Sequence, residues 1–434
     1  MSRGVHPLAG RAQRIAVVGT GISGLLAARL LHARHSLTVF EADDRIGGHT
    51  HTVQVEHEGQ RYAVDTGFIV FNDRTYPNFR ALLGRLGVAS QPSDMSFSVR
   101  DERSGLEYCG SSLNSLFTQR RNLLRPSFLR MVRDILRFGR EATAVLGPPE
   151  DQRTLGELLR DGGYARSFID HYLVPMGSAI WSAEPERLLA MPARFFVRFF
   201  HNHGMLAVRG RPTWHVVQSG SHAYLGPLVA PFRDRIRTGA PVQRILRTPN
   251  GVTVQVAGRA PESFDGVVVA THSDQALRLL GDPSGVEREV LGAIPYQENE
   301  AVLHTDTRLL PSRRRAWASW NYHLGHGSAR ATLTYHQNRL QNLQAPVDFC
   351  VTLNHSDAID PSRILRRILY HHPVFTEAGV RAQARRGEVN GVRRTWFCGA
   401  WWGYGFHEDG VNSALAVARD FGLGLDDLGV EVAA

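Results

Sequence analysis

IAVVGTGISGLLAARLL, residues 15–31, decides the fold. Residues 15–18 are an unbroken apolar run, the pattern of a short strand buried on both faces. Glycines at 19, 21 and 24 follow at once, and residues 25–31 continue as an apolar helix. A second strand is expected at 37–40, closed by Glu41, which stands 17 residues after Gly24. Each part has a mechanical reason. Gly19 allows the tight turn, Gly21 lets the backbone approach a pyrophosphate, and Gly24 lets the helix pack on the sheet. The helix N-terminus then offers unpaired N–H groups and a positive dipole to the diphosphate. Glu41 is placed to accept from a ribose diol. Strand, glycine turn, helix, strand and acid in that order specify a dinucleotide site, which a lone glycine motif does not.

The residues that follow point to the nucleotide. EADDRIGGH, residues 41–49, resembles the extended FAD fingerprint of the flavin amine oxidase and phytoene desaturase superfamily. VDTGFIVF, residues 64–71, is similar to that superfamily's next strand and turn. Far downstream, SGSHAYL (219–225), strands at 242–246 and 252–256, and FDGVVVATH (264–272) resemble its second FAD block, a β-meander and a strand ending in Ala-Thr. TWFCGAWWGYGFHEDGVNSAL, residues 395–415, resembles the C-terminal strand, glycine-rich loop and helix that close over the flavin. The resemblance implies FAD as cofactor. It implies a binding set of Gly19, Gly21, Ser23, Gly24, Glu41, Ala42, Arg45, Gly47, Gly48, His49, Gly67, Val242, Ala270, Gly399, Gly410 and Val411. A helix starting near Val411 would aim its positive end at the flavin. One departure stands out: the superfamily usually has a carboxylate after the glycine matching Gly399, and here Ala400 follows. Glu408 and Asp409 are the candidates to replace it.

Composition narrows the chemistry. All 50 basic residues are arginine, so Schiff-base chemistry and a P-loop lysine are excluded, as is the lysine that flavin amine oxidases commonly place near the flavin. Hydrophobic residues make up 43% and charged residues 21%, ordinary for a globular chain. The formal charge of +9 comes with no nucleic-acid recognition module, so no nucleic-acid partner is expected. Three scattered cysteines have no metal-ligand spacing. His201 and His203, His304 and Asp306, and His371 and His372 lack further ligands, so no metal site is expected. The first fourteen residues lack the apolar block of a signal peptide, and no apolar run spans a bilayer. The expectation is a cytoplasmic protein, in one reading peripheral at the inner face of a membrane.

A narrower resemblance rests on NHG (202–204), ASWNY (318–322) and GFHEDG (405–410). These look like markers of a branch of predicted NAD/FAD-binding proteins associated with cyclopropane-fatty-acid-synthase-like methyltransferases. That likeness implies desaturation of a methyl-branched acyl chain of a membrane lipid, with a methyltransferase as partner. His203 and Tyr322 from the markers, and Glu300 from the strand region 296–306, are the candidates to accept the second proton. Two alternatives stay open: an amine or amino-acid oxidase, and a flavin-binding partner of a lipid methyltransferase without turnover of its own. Residues 113–146 and RFFVRFF (194–200) place apolar and arginine residues at helical spacing. They read either as core-facing helices or as an arginine-flanked surface for an anionic bilayer.

The expected architecture is α/β: a Rossmann-like FAD domain from segments 11–89, 214–294 and 391–425, interleaved with a substrate domain of mixed sheet and helices from 90–213 and 295–390. The active site is expected where the two meet.

Overall fold

A computed structural model describes residues 11–148, 151–207, 209–325 and 332–428. The apolar run at 15–18 lies at the centre of a five-stranded sheet. Its order is Ile236–Arg237, Ser36–Phe40, Arg14–Val18, Gly266–Val269 and Thr395–Phe397. Every pairing is parallel. Such a sheet is covered on both faces, which is why its strands are apolar throughout. Val18 is in register with both Phe40 and Val269, so the turns after these strands emerge on one edge. That register brings Gly19, Glu41 and Ala270 together from three distant stretches of sequence. Helix Ile22–Leu31 covers one face and packs against the C-terminal helix His407–Asp420. A Cβ on Gly24 would strike Gly19 O and come within 2.9 Å of the Ala270 Cβ, so this crossing requires glycine.

The expected meander is present as Val242–Thr248, Gly251–Val256 and Glu262–Phe264, all antiparallel. A second large sheet has seven strands, in the order Ile364–Pro373, Tyr296–His304, Cys350–Leu353, Thr332–His336, Trp320–Leu324, Phe97–Asp101 and Leu106–Cys109. It is mixed: Trp320–Leu324 pairs in parallel with Phe97–Asp101, and the other neighbours are antiparallel. A helical layer including Val174–Trp181 and Ala193–Asn202 shares one apolar cluster with this sheet through Phe196, Phe200, Val99 and Tyr322.

Packing crosses the expected segment boundaries in three places. The hairpin Thr52–His57 and Gln60–Asp65 buries Val55, Tyr62 and Val64 against Leu303 and Val351 of the seven-stranded sheet and Phe349 just before it. Ser90–Pro92 pairs with Trp214–Val217, which also pairs with Val70–Asn72. Ala382 and Val389 join the cluster beneath the parallel sheet. The helical run expected over 113–146 is broken into Leu113–Leu116, a 3-10 turn Arg120–Leu124, helix Pro126–Glu141 and a 3-10 turn Ala142–Leu146. Pro126 is the physical reason, since it lacks an N–H and fits only at a helix start. RFFVRFF takes the core-facing form, with Phe195, Phe196, Val197, Phe199 and Phe200 buried.

Candidate active site

A cleft of about 850 Å³ runs from the carboxyl edge of the parallel sheet to the helical layer. Ligands of open α/β sheets bind at that edge because the strand-end turns and helix N-termini converge there. Gly19, with φ +103, makes the turn; a Cβ there would lie 2.9 Å from Ala270 O. A Cβ on Gly21 would meet no atom within 4 Å, so its backbone is bare to the cleft. Helix Ile22–Leu31 is buried along almost its whole length, yet Gly21 provides no side-chain cap. A buried helix end needs partners for its first N–H groups, and an anionic diphosphate supplies them. The Glu41 carboxylate accepts from Thr20 N at 2.9 Å, from the Thr20 hydroxyl, and from Asp43 N at 3.0 Å. It therefore fixes the glycine turn while remaining on the cleft wall. The Arg45 guanidinium donates to Gly48 O at 2.9 Å and Thr50 O at 3.4 Å, holding the Gly47–Gly48 bend from behind. These features fit FAD: a bare phosphate turn, an uncapped helix end and an acid at the second strand end.

Of the binding set read from sequence, Gly19, Gly21, Ser23, Glu41, Ala42, Arg45, Gly47, Gly48, His49, Gly67, Val242, Ala270 and Gly399 line the cleft. Gly24, Gly410 and Val411 do not. Gly24 is the packing contact already described. Val411 is fully buried in the core. A Cβ on Gly410 would lie 2.8 Å from Ile22 Cγ2 and 3.0 Å from Ser23 Oγ, so this glycine lets the two helices approach. The C-terminal helix starts at His407, earlier than expected, because Asp409 folds back to accept from Phe406 N and Tyr404 N, each at 3.0 Å. Glu408 accepts from Asn78 N at 3.0 Å and Phe79 N at 2.8 Å, capping helix Pro77–Arg85. Neither acid stands in for the carboxylate missing at Ala400.

The catalytic candidates separate. His203 lines the cleft, stacked on Phe199 with centroids 3.9 Å apart. Its Nδ1 lies 3.0 Å from Phe199 O, and a carbonyl can only accept, so Nδ1 carries the proton and Nε2 is left as a base. Burial pushes its pKa down to about 4, so the ring is neutral at pH 7. Tyr322 and Glu300 are corrections, since neither lines the cleft. Tyr322 is buried in the cluster shared with the helical layer. Glu300 accepts from Arg367 Nη1 at 3.0 Å on the outer part of the sheet. Strand alternation and the covering layer decide which side chains see the cleft, and neither is readable from spacing.

The sequence reading missed His272, His372 and His407 on the nucleotide side, and Trp181, Phe199, Trp214 and Phe406 at the other end. His49 lies beneath Tyr370, His372 and His272, with centroids at 5.0, 5.4 and 6.1 Å. Burial holds its pKa well below the ordinary value, and the neighbouring histidines add to this. His407 stacks on Phe68 at 3.4 Å. The signal for His272 was present, one residue past the Ala270-Thr271 strand end. The aromatic wall comes from residues that sequence alone reads as core. Among the described residues, the only carboxylates lining the cleft are Glu41 and Asp43, both at the nucleotide end. No cluster of metal ligands occurs among the described residues.

With this geometry in place, similarity to known proteins becomes informative. The model of the flavin containing amine oxidoreductase family matches residues 22–315. The chain belongs to that family. FAD is its cofactor, and the family is one of FAD-dependent oxidoreductases. A Mycobacterium tuberculosis protein described as a flavin-containing monoamine oxidase is 29% identical over 281 residues, 62% of this chain. The match spans 59% of that relative's length. Among solved structures, cyclohexylamine oxidase from Brevibacterium oxydans superposes with TM-score 0.68 at 16% identity, covering 94% of this chain and 99% of its own. A fatty acid isomerase from P. acnes superposes with TM-score 0.66 at 16% identity, covering 94% and 98%. At that identity the likeness shows the flavoprotein fold.

Proposed function

We propose that this flavoprotein dehydrogenates an apolar substrate, a methyl-branched fatty acyl chain of a membrane lipid. The observation that carries the reading is the wall of the cleft beyond the nucleotide end. Trp181, Phe199, Met205, Trp214 and Phe406 form it, with no carboxylate among the described residues there to hold an ammonium group. An aliphatic chain gains by leaving water for such a surface, whereas a charged amine would exchange its hydration for ring faces alone, with no carboxylate to neutralise it. FAD, when bound, supplies the hydride acceptor. The aromatic wall positions the reacting carbons and excludes water. His203, neutral and with Nε2 unprotonated, accepts the proton from the adjacent carbon. All three segments that resemble the methyltransferase-associated branch reach the cleft, through His203, through Trp320, and through Gly405, Phe406 and His407. A lipid methyltransferase as partner belongs to the same proposal, and the P. acnes isomerase is a protein of this fold named for a fatty acid.

The test is the visible spectrum of the purified holoprotein, followed anaerobically as phospholipids with methylated acyl chains are added, with simple amines as controls. Bleaching of the flavin band by the lipid alone supports the proposal. Bleaching by amines alone overturns it in favour of the amine oxidase reading, which the description of the mycobacterial relative favours. A bound flavin that neither reduces overturns it in favour of a partner role.

A further inference from the structure

We propose that the helical face built from residues 113–140 docks on an anionic lipid bilayer. This goes beyond the substrate reading and does not depend on it. Among the described residues, nine large hydrophobic side chains are exposed, and five of them lie between positions 113 and 136. Leu113 is 76% exposed and Leu124 is 87% exposed, with Leu123, Leu129 and Leu136 close to half. Single exposed leucines are ordinary; five within one run of sequence, two of them on the outer side of a single helix, call for an occupant.

Helix Pro126–Glu141 shows how the patch is organised. Phe128, Met131, Asp134 and Phe138 face inward and are buried. On the outer side, Leu129, Arg133, Leu136 and Arg140 follow at intervals of four, three and four, a single stripe alternating leucine with arginine. Residues 113–141 contain seven arginines and two carboxylates. One of those carboxylates, Asp134, is buried, and the other, Glu141, accepts from Arg137 Nε at 3.0 Å. The outward charge is therefore predominantly positive. A second copy of the chain would set arginines against arginines. A bilayer offers apolar depth for the leucines and phosphate for the arginines, whose stems lie along the interface while their heads reach the headgroups. No helix among the described residues is long and apolar enough to cross a membrane, so the contact is peripheral. The position also suits entry to the cleft. Gly139 passes so close to Leu206 O that a Cβ would collide with it, and Met205, next in the chain, lines the cleft.

The holoprotein is sedimented with vesicles of phosphatidylglycerol and phosphatidylcholine, and separately with phosphatidylcholine alone. Binding to the anionic vesicles only, reversed by salt, is expected. The triple variant Arg130→Gln, Arg133→Gln, Arg140→Gln should bind on the order of a hundredfold more weakly. The pair Leu124→Ser, Leu129→Ser should lose about tenfold. Both variants keep the flavin spectrum, since all five positions are exposed or away from the cleft. Absence of binding to anionic vesicles, or binding unchanged in both variants, overturns the proposal. So does self-association at sedimentation equilibrium that the leucine variants abolish while vesicles are ignored.

Discussion

At the scale of single residues, His203 reaches the cleft with its tautomer already chosen by the Phe199 carbonyl. Changing it to phenylalanine preserves the stack on Phe199 and Trp214 and removes Nε2. The expected result is unchanged FAD content and flavin reduction slowed by roughly a hundredfold or more, read by anaerobic stopped-flow. Tyr322→Phe and Glu300→Gln serve as the comparison, because neither side chain reaches the cleft, and both should reduce at the wild-type rate. Equal slowing in all three would remove His203 from its role. Gly24→Ala tests the nucleotide end. Its Cβ would press on Gly19 O and Ala270 Cβ, so the protein should be isolated without the flavin bands. Full flavin retention in that variant would mean that the crossing can open without cost.

Among the elements, the C-terminal helix does more than end the chain. Glu408 leaves it to cap helix Pro77–Arg85, accepting two backbone N–H groups that lack a partner within their own helix. Glu408→Ala should cost about 1–2 kcal/mol of stability, the range for lost helix caps, measured as a lower midpoint in denaturant. An unchanged midpoint would mean that water replaces the carboxylate there. Glu408 was read from sequence as a candidate for the carboxylate missing after Gly399, and that misreading shows where legibility stops. The βαβ start at 14–40 and the meander at 242–264 are local: period, glycines and turns fix them without distant partners. The seven-stranded sheet joins residues 97–109 to 296–373, and nothing within either stretch states the partner or the facing side. Tyr322 and Glu300 were placed by proximity to a motif, while their faces were set by pairings and covering helices. Pro126, by contrast, was a readable signal for the break in the 113–146 run.

The whole molecule carries a charge balance that no single element reveals. Burial lowers the pKa of His51, His203, His272, His304 and His372 to about 4 and that of His407 to about 3. His49 is lowered well below its ordinary value. Three buried carboxylates move the other way: Asp65 and Asp409 are raised to about 7, and burial raises Glu408 as well. A histidine with a depressed folded pKa contributes stability that is present above its unfolded value near 6.5. That contribution is lost as pH falls toward the folded value. A carboxyl with a raised folded pKa has the opposite sign, stabilising below its unfolded value near 3.9 and losing that contribution as pH rises through about 7. Near pH 5 the unfolded chain holds protons on six histidines, at 51, 203, 272, 304, 372 and 407, that the folded chain largely refuses, and lacks the carboxyl protons that Asp65 and Asp409 keep. Each unmatched proton is worth about 1.4 kcal/mol per pH unit, so the histidines win. The melting temperature should therefore fall by about ten degrees or more between pH 7 and pH 5. Replacing Asp409 by asparagine, whose side-chain oxygen can still accept from Tyr404 N and Phe406 N, should leave the acid fall in place and raise stability selectively above pH 7. A melting temperature that holds steady or climbs on acidification, in apoprotein and holoprotein alike, would mean that the histidine ring around the cleft takes up protons without unfolding.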